Sequence, residues 1–188
     1  MKRILKEEDI YKGNLLLVNQ MHPIKQAIDL DLEEYSSSYK NILFDKVANQ
    51  FLKRTLNELN LVDEIVPVSG YRTLEEQKKI FTDSLQENGE EFTRKYVALP
   101  NTSEHQTGLA IDLGLGECDL DFICPSFPHK GICEKFRKSA VSFGFIERYK
   151  KEKEQITGIS AEEWHFRFVG SPHAEIMEKK ALCLEEYI

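Results

Sequence analysis

At 188 residues the chain is long enough for one domain with a core of its own, and a composition of 41% hydrophobic and 30% charged residues is ordinary for a globular protein. A formal charge of −7 argues against a general nucleic-acid binder, which needs a basic face to neutralise phosphates. The opening "MKRILKEEDIYKG" meets acidic residues after only two apolar ones, so it carries no signal-peptide core, and the apolar run at 15–18 is too short to span a bilayer.

A cytoplasmic protein without a membrane anchor is therefore expected, with Cys118, Cys124, Cys133 and Cys183 as thiols rather than a disulfide framework. Along the chain, residues 41–59 carry apolar side chains at Phe44, Val47, Phe51, Leu52, Leu56 and Leu59, the stripe of a long amphipathic helix packed on the core. "EIVPVSG" at 64–70 reads as a short strand, and Pro67 assigns it to a sheet edge. Thr73 and Glu76 have the spacing of a capping box, which predicts a helix from there to about Gln86, ended by "ENG".

Two later runs are predicted strands. In "LAIDLGL" (109–115), Ala110, Asp112 and Gly114 share one face, while Ile111, Leu113 and Leu115 share the other. In "WHFRFVG" (164–170), Trp164, Phe166 and Phe168 oppose His165 and Arg167. A helix is expected over 131–143, ended by Gly144, and a last one with Ser171 as cap and Pro172 at its first position. Strands and helices do not alternate regularly, so the expected class is α+β: a single domain over 1–188, with a small, mainly antiparallel sheet flanked by helices.

The carboxylate of Asp112 interrupts an otherwise apolar strand, with small neighbours that leave space above it. An extended link would hold His105 more than about 20 Å from Asp112. Gly108 permits the turn that folds it back. With His165 on a second strand, two imidazoles and one carboxylate could converge as a catalytic zinc set on the sheet face, three protein ligands with water in the fourth position. Glu162, three residues before His165, is placed as a base beside that metal. Taken singly, an edge-strand Asp112, a loop His105 and a solvated "EEWH" turn are the plainer readings; the joint pattern sets the metal site beside them as an equal reading. A second set, Cys118, Cys124, His129 and Cys133, could form a zinc knuckle, but its spacing is looser than usual and fits a proline-shaped loop better.

"SEHQTGLAID" at 103–112 resembles the S-x-H-x-x-G-x-A-x-D motif of the zinc D,D-peptidases, the VanX, VanY and VanXY types. "EEWH" at 162–165 resembles their E-x-W-H, and "SGYRT" at 69–73 their arginine-bearing segment; the likeness extends over most of the chain, including "LLLVNQMHP" near its start. The resemblance implies His105, Asp112 and His165 as ligands of one catalytic Zn2+, Glu162 as the base, Arg72 as the transition-state arginine and Ser103 as a substrate contact. Glu163 is the competing carboxylate, and only the family spacing selects Glu162. The implied substrates are D-Ala-D-Ala and the terminal D-Ala of peptidoglycan pentapeptide precursors, and the implied role is vancomycin resistance. A related L-Ala-D-Glu endopeptidase and a non-catalytic zinc-fold binding protein are the alternatives. Oligomeric state has no signature in the sequence.

Overall fold

The computed structural model describes residues 13–39, 41–116 and 121–188. The opening segment at 1–12, on which the leader expectation rests, and Cys118 of the knuckle lie outside these. A four-stranded antiparallel sheet has the order β3 (Ile65–Ser69), β4 (Ala110–Leu115), β6 (Glu162–Phe168), β5 (Phe145–Tyr149). A separate two-stranded ribbon pairs β1 (Leu32–Glu34) with β2 (Leu43–Asp45). The helices are α1 (Lys46–Leu59), α2 (Leu74–Tyr96), α3 (Gly131–Ala140), the short α4 (Glu154–Thr157), α5 (His173–Lys180) and α6 (Leu184–Tyr187). The α+β class holds, and β3 with Pro67 is a sheet edge as expected, where a missing N–H costs no ladder bond.

One face of the sheet is apolar. Ile111 and Leu113 of β4, Phe166 and Phe168 of β6 and Phe145 of β5 meet Leu52 and Leu56 of α1 and Phe136 of α3 in one buried cluster. Each such side chain fully buried contributes roughly 1.5–3 kcal/mol relative to exposure. The strand parity therefore sends Asp112 and His165 to the other face, since their neighbours are committed to the core. A second cluster joins Leu15 and Leu17 of the N-terminal segment to Ile146, Val169, Ala174, Met177 and Leu184. It anchors α5 and α6 beside β5.

Several elements depart from expectation. The helix expected over 41–59 starts only at Lys46, because Asp45 caps it by accepting from the Ala48 N–H (2.9 Å) and residues 43–45 pair with β1. Its buried face then runs through Ala48, Leu52 and Leu56, leaving Val47 48% exposed. The capping box of Thr73 and Glu76 is present. "ENG" does break α2 at Gly89 (φ 81°), yet a further helical stretch continues to Tyr96, tied back by a 2.8 Å Ser84–Thr93 hydroxyl bond. Pro172 stands just before α5 rather than inside it, and α3 ends at Ala140 with a 3-10 turn running on to Gly144. Strand β5 has no counterpart in the expectations.

Candidate metal centre

His105 sits in a 3-10 turn, Glu104–Thr107, that ends on Gly108 in the left-handed region (φ 70°). That turn folds the imidazole back over β4. Its Nδ1–H donates to the Gly70 carbonyl (2.6 Å), which leaves Nε2 facing Asp112 Oδ2 at 3.1 Å. Asp112 pairs in register with His165 across β4 and β6, and His165 Nδ1 lies 3.0 Å from Asp112 Oδ1. The two imidazole rings meet edge to face, 4.9 Å between centroids. All three residues are buried, and one ligand atom from each lies within 4.8 Å of the others. This is the one group of metal-ligating side chains that converges so closely among the described residues.

The donor set fits zinc. Two imidazole nitrogens and a carboxylate are the usual ligands of a three-residue catalytic site. The second nitrogen of His105 is already fixed by a backbone carbonyl, as metal-bound imidazoles require. The described knuckle residues do not converge: Cys133 is in the core, while the His129 ring turns to Glu147 at 3.0 Å.

Glu162 is in β6, not in a turn of chain before it. Three residues from His165, it would face the opposite way on a regular strand. The register slips here: Glu147 pairs with Phe166 but Tyr149 with Glu162, so two residues of β5 span four of β6. This irregularity brings Glu162 Oε2 to 3.7 Å from His165 Nδ1. Burial pushes the Glu162 carboxyl up to about 8, with Asp112 and Glu104 adding to the shift against His165 and Arg72. Glu163, by contrast, has a half-exposed side chain directed towards His129.

Arg72, between β3 and α2, donates Nε–H to Ser69 Oγ (3.0 Å), Nη1 to Gln77 Oε1 (3.3 Å) and Nη2 to Asp112 Oδ2 (3.1 Å). With its side chain 16% exposed, it is thus a largely enclosed partner of the candidate ligand group and not a surface ion pair. Ser103 is buried and borders the same cavity, of about 320 Å³, which Arg72, His105, Asp112, Glu162 and His165 also line. Glu87, Tyr96 and Ala98 line it on one side and Phe122 and Ile123 on the other.

Three residues of the site escaped the sequence reading. Gln77, fully buried, bridges Arg72 to the Ala98 carbonyl, and its only signal is its place five residues after the arginine. Tyr149 packs its ring 4.9 Å from that of His165, from a strand that charged residues concealed. Glu104 stands inside the motif itself, at a position that the pattern leaves open.

The family model for VanY, D-alanyl-D-alanine carboxypeptidase, matches residues 41–171. The chain belongs to the VanY family. It is 42% identical over 179 residues, 93% of each chain, to the bifunctional D-Ala-D-Ala dipeptidase and D-Ala-D-Ala carboxypeptidase VanXYC of Enterococcus gallinarum. Among solved structures, the vancomycin resistance D,D-dipeptidase VanXYg in complex with a D-Ala-D-Ala phosphinate analogue is 53% identical. It superposes with a TM-score of 0.93 over 97% of this chain and 73% of that one. The D,D-pentapeptidase VanY of the VanB-type cassette, solved with Zn(II), is 31% identical, with a TM-score of 0.78 over 93% and 98% of the two chains. Among the described residues no helix is long and apolar enough to cross a membrane.

Proposed function

We propose that this VanY-family chain is a zinc D,D-peptidase of the cytoplasm, one catalytic domain over 1–188. It hydrolyses D-Ala-D-Ala and removes the terminal D-Ala from peptidoglycan pentapeptide precursors. The observation that carries the reading is the convergence of His105, Asp112 and His165 with a buried Glu162 beside them, in a chain matched over 93% of its length by a bifunctional relative. Loss of those precursors removes what vancomycin binds, so the role is glycopeptide resistance.

His105 through Nε2, His165 through Nδ1 and Asp112 through its carboxylate would hold one zinc ion. Bound there, zinc supplies Lewis acidity that polarises an amide carbonyl and makes water acidic enough to attack near neutral pH. Glu162, raised to about 8 in the metal-free centre, would be drawn back to its ionised form by the charge of a bound dication; its carboxylate then accepts the proton from the attacking water and returns it to the departing amine of D-Ala. Arg72, held by Ser69 and Gln77, presents a planar cation where the carbonyl oxygen gains negative charge. Ser103 offers a hydroxyl to the substrate from the cavity wall. Burial keeps bulk water from screening these charges.

The direct test is D-Ala release by zinc-loaded protein from the dipeptide and from a pentapeptide precursor. Release from both is expected. Activity confined to intact cell wall would establish the endopeptidase instead, and zinc binding without any hydrolysis would establish a binding protein.

A further inference from the structure

Glu104 takes no part in the chemistry above, yet it is one of the most deeply buried charges in the protein, 1% exposed. Its Oε1 accepts from Arg148 Nε (2.8 Å) and lies 3.0 Å from Arg167 Nη1. Both arginines are anchored in turn. Arg148 makes a forked pair with Glu185 of α6 (2.9 and 2.7 Å), and Arg167 donates to the Leu16 and Asn14 carbonyls. A carboxylate held this way by two guanidinium groups has little freedom to turn.

The second oxygen is the informative one. Glu104 Oε2 points at His165 Nε2 from 3.6 Å, and among the described residues neither atom has a hydrogen-bond partner. Buried polar atoms without partners are rare, and here an acceptor and a potential donor face one another. His165 turns its other nitrogen, Nδ1, towards Asp112 and Glu162. An imidazole that gives Nδ1 to a metal keeps its proton on Nε2, and that N–H requires an acceptor. Glu104 Oε2 is the atom in place. Charge balance for Arg148 and Arg167 would need only Oε1 and gives no reason for Oε2 to face the ring.

We infer that Glu104 is a positioning residue: its carboxylate orients His165 for zinc by accepting the Nε2 proton. The inference rests on the zinc reading of the site. Through Arg148 and Glu185 it also extends the support of the metal centre to the C-terminal helix α6. Loss of such a partner costs about 10–100-fold in metal affinity.

Chelator competition on wild type, Glu104→Asp and Glu185→Gln tests this. Glu104→Asp keeps the negative charge between the two arginines but withdraws the carboxylate by one methylene from His165. It is expected to weaken zinc binding about 10–100-fold, with Glu185→Gln weakening it far less. In zinc-loaded wild type, long-range proton–nitrogen NMR should show His165 bound through Nδ1 with a slowly exchanging proton on Nε2. That spectrum decides the matter even if Glu104→Asp does not fold. Unchanged zinc affinity in Glu104→Asp, equal weakening by both variants, or an unprotonated Nε2 would overturn the inference and leave the zinc site standing. Wild-type protein that takes up no zinc would overturn both.

Discussion

Glu162 and Glu163 are chemically identical neighbours with opposite surroundings. The first is buried against His165, and the second has a side chain 47% exposed on the other side of the strand. Glu162→Gln should therefore lower kcat by about 10²–10⁴-fold, the usual loss of a general base, with zinc content unchanged by metal analysis. Glu163→Gln should retain near wild-type turnover; the reverse pair of results would move the base to Glu163. Arg72 spends three nitrogens on three different acceptors, a fork that lysine cannot reproduce. Arg72→Lys is expected to cut kcat by about 10²-fold, the scale of losing one oxyanion donor, with a smaller change in KM. A steady-state measurement showing KM rising at constant kcat would assign Arg72 to ground-state binding instead.

At the scale of elements, strand parity made much of the site readable. Alternation in "LAIDLGL" and "WHFRFVG" places Asp112 and His165 opposite the core, and Gly108 explains the return of His105. What stayed hidden depends on partners remote in sequence. Strand β5, "FIERY", buries Glu147 and Arg148 only because Arg137, Glu104 and Glu185 meet them, so its local pattern does not read as a core strand. The slip between β5 and β6 is likewise invisible locally, although it is what turns Glu162 towards His165. Gly70 shows how closely elements must fit at this centre. Its carbonyl holds His105, while a Cβ there would collide with the Leu43 carbonyl oxygen and lie 2.9 Å from the Ile42 side chain. Gly70→Ala should destabilise the fold by about 1–3 kcal/mol through forced backbone displacement, and it should weaken zinc binding as well. Gly158→Ala, where a Cβ meets nothing within 4 Å despite φ 72°, should cost about 1 kcal/mol of backbone strain and leave zinc affinity intact. Urea midpoints with chelator titrations distinguish the two, and a Gly70→Ala variant with normal zinc affinity would remove the Gly70–His105 bond from the support of the site.

For the whole molecule, the metal-free centre concentrates titratable groups whose folded behaviour differs from the unfolded chain. Burial raises Glu162 to about 8, against about 4.3 when unfolded, so the folded state holds a proton that the unfolded state has released over that interval. Burial alone would lower His165, but the carboxylates of Asp112 and Glu104 outweigh it and raise the ring to about 9. The stability contributed by His165 is present below its unfolded value of about 6.5 and lost as the pH rises through 9. His105 is lowered, chiefly by burial and then by Arg72, so its opposite contribution is confined to the region around and below pH 6.5. Above that point both remaining shifts have one sign: the folded protein binds more protons, and stability must fall as pH rises. The thermal midpoint of chelator-treated protein should thus decline between pH 6.5 and 9. Zinc needs its imidazoles unprotonated at the ligating nitrogens, so the stabilisation it adds grows with pH over the same window. The gap between zinc-loaded and metal-free midpoints should widen from pH 6.5 to 9 in differential scanning calorimetry. A constant gap would mean that proton release at His165 and Glu162 is not coupled to metal binding, and the centre would need a different set of ligands.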